Sequence, residues 1–358
     1  MRMTNYISLP DRERIHIALS PWDLTDDYNR HAGVTLLSTL DHCSSPVVVH
    51  LLYDAKLSVG KEREEEYNKE CYQKIADRYN CEVCYHHVEL PPWINSATRM
   101  NKWTPGTLMR LCLPNLLPDV AKIIYLDCDI VVLTSIDTLW NTPLDGKYLA
   151  ACIDRWIIDN ARYKRKKYYK SLDIKLEKYF NAGVLLMNLS EMRNVSKPFS
   201  ETIFSYFEQH KDLPYLDQDL LNWFCRGDYV QLDKKYNVFS WWENALEYTN
   251  DCIIHYTIGK PWKRYNGGID DFYWDYLLET PWCENKRCLA KYIRDAPQIE
   301  KALPFIEKNF LEIIEGKPLD KSIHLCKFTL SIWASVYHWL RDKFKFSLVR
   351  LGILNQEY

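Results

Sequence analysis

No apolar stretch in the sequence reaches the roughly 20 residues that a helix needs to cross a bilayer, so a membrane span is not predicted. No basic start followed by a long apolar run precedes Ile15, so a secretory signal is not predicted either. Lysine and arginine form no long stripe and the formal net charge is only -2, which removes the general electrostatic case for a nucleic-acid partner. Internal repeats and low-complexity linkers are also missing. The 12 cysteines keep no repeated spacing, and reduced thiols in a cytoplasm are the expectation. Cys71, Cys81, Cys84, His86 and His87 are of the types that hold zinc, yet the close pair Cys81 and Cys84 lacks a matching second pair, so ordinary cysteines are expected there.

What is present is enough apolar material for a large core: 47% of 358 residues are hydrophobic and 26% charged. Arg14 to Ser20 alternates as a first buried strand, and the segment Pro21 to Asp27 breaks it. His31 to Leu40 reads as a helix, Pro46 to Tyr53 as a fully buried strand, Glu62 to Tyr79 as a charged helix with an apolar seam, and Cys81 to Val88 as a third strand. Thr107 to Leu117 reads as an apolar helix leading into a strand from Lys122 to Asp127; further strands follow at Lys147 to Asp154 and Phe180 to Asn188. This alternation predicts an α/β fold with a doubly wound sheet, helices on both faces and ligands at the carboxyl ends of strands. Between the last two strands, Arg155 to Lys178 is dense in Lys, Arg and Tyr, either a solvated helix or a contact for an acceptor or phosphate. A boundary near residue 280 separates a main domain, 1–280, from a helical extension, 281–358.

The sharpest chemical feature is Asp127 and Asp129, one residue apart inside the apolar run Ile123 to Leu133. Two charges so close are costly to bury unless a cation lies between them, and oxygen ligands of this kind suit Mg2+ or Mn2+ bound together with substrate phosphates. The alternative is a pair of acids capping a turn at a strand end. His255 follows the apolar Ile253 and Ile254 and precedes Gly259 and Lys260; it is either a third metal ligand, with the glycine and lysine approaching phosphate, or a satisfied core histidine. Asp217, Gln218 and Asp219 open an amphipathic helix, where Asp217 is equally placed to be an N-cap. Asn181 and Gly183 interrupt an otherwise core-like strand.

Taken in this order along one chain, the segments Asp127 to Asp129, Phe180 to Asn188, Asp217 to Asp219 and His255 to Trp262 resemble the family 8 glycosyltransferases, over roughly residues 14–265. That family includes glycogenin and bacterial galactosyl- and glucosyltransferases of lipopolysaccharide assembly. The resemblance implies a GT-A fold, a UDP-sugar donor carrying glucose or galactose, a manganese or magnesium ion, and transfer with retention of anomeric configuration. It implies that Asp127, Asp129 and His255 hold the metal, that Gly259 and Lys260 touch phosphate, and that Ala18 and Ser20 belong to a uridine-binding segment, with Cys128 between the acids also at the donor. Arg110, near Thr107, matches an arginine placed at the donor; Asp154, Asn181, Asp217 and Gln218 would line the donor sugar and reacting centre. His255 and Lys260 stand one residue closer than in the family's usual pattern. Negative charge that develops on the leaving diphosphate would be met by the metal and Lys260. With no evident nucleophile, Gln218 and Asp217 are expected to stabilise an oxocarbenium-like centre during front-side attack.

Three rivals remain at this stage. A phosphatase of the haloacid dehalogenase type would read Asp127 and Asp129 as nucleophile and acid, a non-catalytic carbohydrate-binding protein would use the many aromatic residues, and a nucleotidyltransferase also uses paired acids. From Ser322 to Leu351, aromatic and aliphatic residues mix with Lys327, Arg341, Lys343, Lys345 and Arg350, as in an amphipathic helix at a membrane interface. The expectation is peripheral attachment to the inner leaflet and a lipid-linked or surface-glycan acceptor, against a helix docked on the main domain.

Overall fold

The strand that opens the fold, β1 (Ile15–Trp22), lies near the middle of its sheet, flanked on both sides by parallel neighbours. The computed structural model describes residues 14–79, 81–94, 104–242, 245–248, 251–263 and 268–283. The remaining strands are β2 (Val47–Tyr53), β3 (Cys81–His87), β4 (Lys122–Leu126), β5 (Ile130–Val132), β6 (Leu149–Ile153), β7 (Phe180–Asn188), β8 (Val230–Gln231), β9 (Val238–Phe239) and β10 (Ile253–His255). Seven form the central sheet in the order β3-β2-β1-β4-β7-β6-β8, and β5, β10 and β9 form a small second sheet in that order.

Strands β1 to β4 are parallel, joined by helical crossovers as the alternating pattern predicted. The sheet as a whole is mixed rather than all-parallel: β7 runs antiparallel to both β4 and β6. Residues of β7 from Phe180 to Met187 are all buried, so the run is apolar without alternation and carries no sign of its direction.

Local boundaries also shift for physical reasons. The first strand continues through Pro21 to Trp22, with a register irregularity after Leu19 and a positive φ of 67° at Trp22. The apolar segment expected as one helix from Thr107 to Leu117 is three short turns, Gly106–Met109, Arg110–Cys112 and Leu113–Leu116, where Pro114 removes a backbone donor. The basic stretch forms two short helices, Arg155–Asn160 and Tyr163–Ser171, the second mostly exposed.

The described chain falls into two compact units. The larger runs to Val238 and includes Asn250–His255; the smaller holds Phe239–Thr249 and the residues from Tyr256 onward. Of the expected extension only Pro281–Cys283, a single helical turn, is described; the rest, with its membrane-interface segment, lies outside the described residues. Among the described residues no helix is long and apolar enough to cross a membrane.

Candidate active site

One edge of the central sheet collects the chemistry. β4 ends at Leu126, β6 ends at Ile153, and antiparallel β7 begins at Phe180, so Asp127, Asp154 and Asn181 emerge side by side. The contacts are direct: Asp127 N–H donates to the Gly183 carbonyl at 2.8 Å, and Asp154 N–H donates to the Tyr179 carbonyl at 2.8 Å. After the turn at Cys128 and Asp129, β5 pairs antiparallel with β10 so that Ile130 faces His255. The small sheet therefore delivers the imidazole to the two acids.

His255 Nε2 lies 3.2 Å from Asp129 Oδ1 and 3.6 Å from Asp127 Oδ2. One ligand atom from each of the three residues falls within 4.8 Å of the others. Two carboxylates and an imidazole are a donor set that fits Mg2+ or Mn2+ and leaves positions for diphosphate oxygens. Gly183 makes room for this cluster. A Cβ there would stand 2.8 Å from both Asp127 Oδ2 and His255 Nδ1, and closer still to the ring carbon Cε1.

The proton on His255 follows from a hydrogen-bond chain. Asp154 Oδ2 accepts from Asn181 Nδ2 at 3.3 Å and from Gln218 Nε2 at 3.2 Å. That orients Asn181 so that its Oδ1 accepts from Asn237 Nδ2 at 2.8 Å, and Asn237 in turn presents Oδ1 to His255 Nδ1 at 2.9 Å. Nδ1 must then carry the hydrogen, which leaves the Nε2 lone pair facing the acids. Asn237, only 1% exposed, was missed in the sequence; a polar residue between Tyr236 and Val238 was the only sign of it.

Arg110 lies beneath the cluster, 2% exposed. Its Nη2 meets Asp127 Oδ1 at 2.6 Å, Nη1 donates to the Ala182 carbonyl at 2.6 Å, Nε donates to the Thr107 carbonyl at 2.9 Å and lies 3.2 Å from Asp217 Oδ2, and the guanidinium sits over Tyr125. Burial alone would favour loss of its charge, but Asp127 and Asp217 outweigh it and raise its pKa. Arg110 thus fixes Asp127 rather than presenting a free face to a donor.

Burial lifts the Asp217 carboxyl to about 6 against the opposing Arg110 charge. Asp217 is not an N-cap: the helix Leu216–Cys225 has Tyr215 at that position, and Leu216 has a positive φ of 38°. Backbone strain of this kind collects at functional sites. Gln218 Oε1 accepts from Asn181 Nδ2 at 3.0 Å and from Ala182 N–H at 3.1 Å. Asp154 is also the N-cap of the helix Arg155–Asn160, and burial raises its pKa.

Of the other expected site residues, Ala18 has no exposed surface and Cys128, between the two acids, only 4%. Ser20 donates to the Gly106 carbonyl at 2.8 Å, tying β1 to the turn that leads to Arg110. Gly259, with φ of 72°, and Lys260, whose Nζ donates to the Tyr256 carbonyl at 2.6 Å, belong to the smaller unit. The Tyr28 hydroxyl pKa is raised, by burial first and then by Asp129, Cys128 and Asp127.

With this geometry in view, comparison with known proteins is decisive. Residues 21–266 match the model for glycosyl transferase family 8. The chain belongs to that family. Among its relatives, a putative glycosyltransferase of Haemophilus influenzae is 27% identical over 59% of this chain and 60% of its own length. The lipopolysaccharide 1,2-glucosyltransferase of Escherichia coli is 24% identical over 77% of this chain and 81% of its own. Among solved structures, galactosyltransferase LgtC in complex with donor and acceptor sugar analogs superposes with a TM-score of 0.59 at 22% identity, over 75% of this chain and 96% of that one. The fold of this family 8 member is therefore the GT-A type. Membership in a transferase family removes the phosphatase and the non-catalytic binding protein as readings of the acid pair.

Proposed function

We propose that the protein is a retaining hexosyltransferase that moves glucose or galactose from a UDP-sugar to the hydroxyl of a lipopolysaccharide or other surface or lipid-linked glycan. The observation that carries this reading is the convergence of Asp127, Asp129 and His255 at the carboxyl end of β4, beside the Asp154, Asn181 and Gln218 network. Asp127, Asp129 and His255 would hold Mn2+ or Mg2+, whose charge would help to stabilise the leaving diphosphate. Lys260 and Gly259 are assigned to the phosphates on the strength of the family resemblance.

Neither candidate side chain is poised as a nucleophile. Gln218 Oε1 already accepts two hydrogen bonds, and Asp217 is buried against Arg110. That supports front-side attack, with Gln218 and Asp154 stabilising positive charge at the anomeric carbon. A glycosyl adduct trapped on Gln218 or Asp217 would refute it. We place the enzyme in the cytoplasm, with peripheral contact to the inner membrane through residues 318–358; deleting them should shift it fully to the soluble fraction.

The reaction is tested by hydrolysis of UDP-glucose and UDP-galactose with and without Mn2+, in the natural chain and in Asp129→Ala. Release of UDP that needs metal and is lost in the variant is expected. Equal release without metal, or transfer of the nucleotide rather than the sugar, would refute the proposal.

A further inference from the structure

A second group of ligand-type side chains lies at the other end of the sheet, away from the acids. His50 on β2 pairs in register with Cys84 on edge strand β3. Parallel partners project to the same face and side chains alternate along a strand, so His86, two residues on, shares that face with both. His16 on β1 pairs with Val48 and joins them there. Cys71 on its helix and His87 lie elsewhere, His87 accepting from Ala55 N–H at 2.9 Å. The fold thus selects two of the five residues that the sequence offered for zinc and adds His50, which the sequence gave no reason to include.

The geometry is that of a ligand set with a supporting residue behind it. His50 is 4% exposed, and ligand atoms of His50, Cys84 and His86 lie within 4.8 Å of one another. His50 Nδ1 is 2.9 Å from His86 Nε2, while His50 Nε2 is 2.9 Å from His16 Nδ1. If His50 donates its Nε2–H to His16, its Nδ1 lone pair points at His86, as in a metal-binding histidine whose far nitrogen is held by a second residue. Tetrahedral ligands about 2.0–2.1 Å from a zinc ion stand roughly 3.3 Å apart, so the two rings need to separate by only about 0.4 Å. Glu82 Oε1 lies 3.7 Å from Cys84 Sγ.

We propose that His50, Cys84 and His86 form a zinc site, with His16 as its positioning residue, separate from the oxygen-rich acid cluster. One thiolate and two imidazoles favour a borderline-soft cation, whereas Asp127 and Asp129 favour a hard one. A bound ion would clamp edge strand β3 to β2, and the inference does not depend on the transfer reaction.

The test uses the full chain stripped with a chelator and reloaded with Zn2+ or Co2+ alone, with bound metal measured after desalting. One equivalent of zinc is expected in the natural chain and in Asp129→Ala, Cys81→Ser and His87→Ala, and none in Cys84→Ser or His86→Gln. His16→Ala should weaken binding roughly 10- to 100-fold without changing the stoichiometry at saturation. The cobalt form of the natural chain should show tetrahedral ligand-field bands and a thiolate-to-cobalt charge-transfer band, a readout independent of how well any variant folds. Absence of that band, zinc retained equally by Cys84→Ser and His86→Gln, or zinc lost in Asp129→Ala would overturn the proposal.

Discussion

Replacing Gly183 by alanine tests whether His255 is a metal ligand without touching any ligand. The added Cβ would stand 2.2 Å from His255 Cε1 and 2.8 Å from its Nδ1, against the 3.4 Å at which ordinary contact begins. The larger shortfall is about 1.2 Å, and metal–ligand distances tolerate only about 0.2 Å. The backbone has little freedom to absorb the difference, because β7 is hydrogen-bonded on both sides, to β4 and β6. The imidazole must move instead, and Asp127 Oδ2, also 2.8 Å from the new carbon, is pushed with it. Overpacking of this size costs about 1–3 kcal/mol of stability, which leaves the chain folded. Affinity for Mn2+ in the presence of UDP should fall on the order of 100-fold, as in His255→Ala. The double variant should lose less than the sum of the two single losses, because both substitutions act on the His255 ligand. The assay is Mn2+ binding by electron paramagnetic resonance, paired with circular dichroism to confirm the fold. Wild-type affinity in Gly183→Ala, or additive losses in the double variant, would refute the reasoning.

Two further outcomes follow from the same network. Asn237→Ala removes the acceptor that keeps the hydrogen on His255 Nδ1, and should weaken Mn2+ binding roughly 10- to 100-fold while leaving the Asp127 and Asp129 positions unchanged; unchanged affinity would show that the tautomer is set otherwise. Asp219 is fully buried, accepts hydrogen bonds from the Tyr179 hydroxyl and Tyr215 N–H, and burial raises its carboxyl to about 6. A folded pKa above the unfolded value means that the native state binds the extra proton, so this residue's contribution to stability falls as pH rises from about 4 to 6. Denaturant unfolding of Asp219→Asn and the natural chain should therefore diverge in the variant's favour by up to about 3 kcal/mol between pH 4 and pH 7. A gap that does not change with pH would show that Asp219 titrates normally.

The parallel half of the fold was legible because β2 is buried along its whole length and the helix Glu62–Ala76 buries a single seam, so apolar runs and the helical period mark such elements directly. The acid pair was legible for the converse reason: Asp127 and Asp129 stand against an apolar background where charge demands a partner. Strand direction in β7 was not legible, since a strand buried on both faces looks the same in either orientation. Asn237 and the contacts of Arg110 were not legible either, because an arginine that meets a ligand and one that meets two aspartates of its own chain have the same local sequence.

The sequence by itself determined the element order, the family and the position of the paired acids Asp127 and Asp129, since these depend on local periodicity and on residue types that burial makes costly. Tertiary structure decided which distant residues share a site. Pairing of β5 with β10 carries His255 to Asp129 across more than a hundred residues, and register between β2 and β3 sets His50 beside Cys84. Such meetings depend on register and strand order, in which each side chain's neighbours come from other segments of the chain, and no local pattern encodes them.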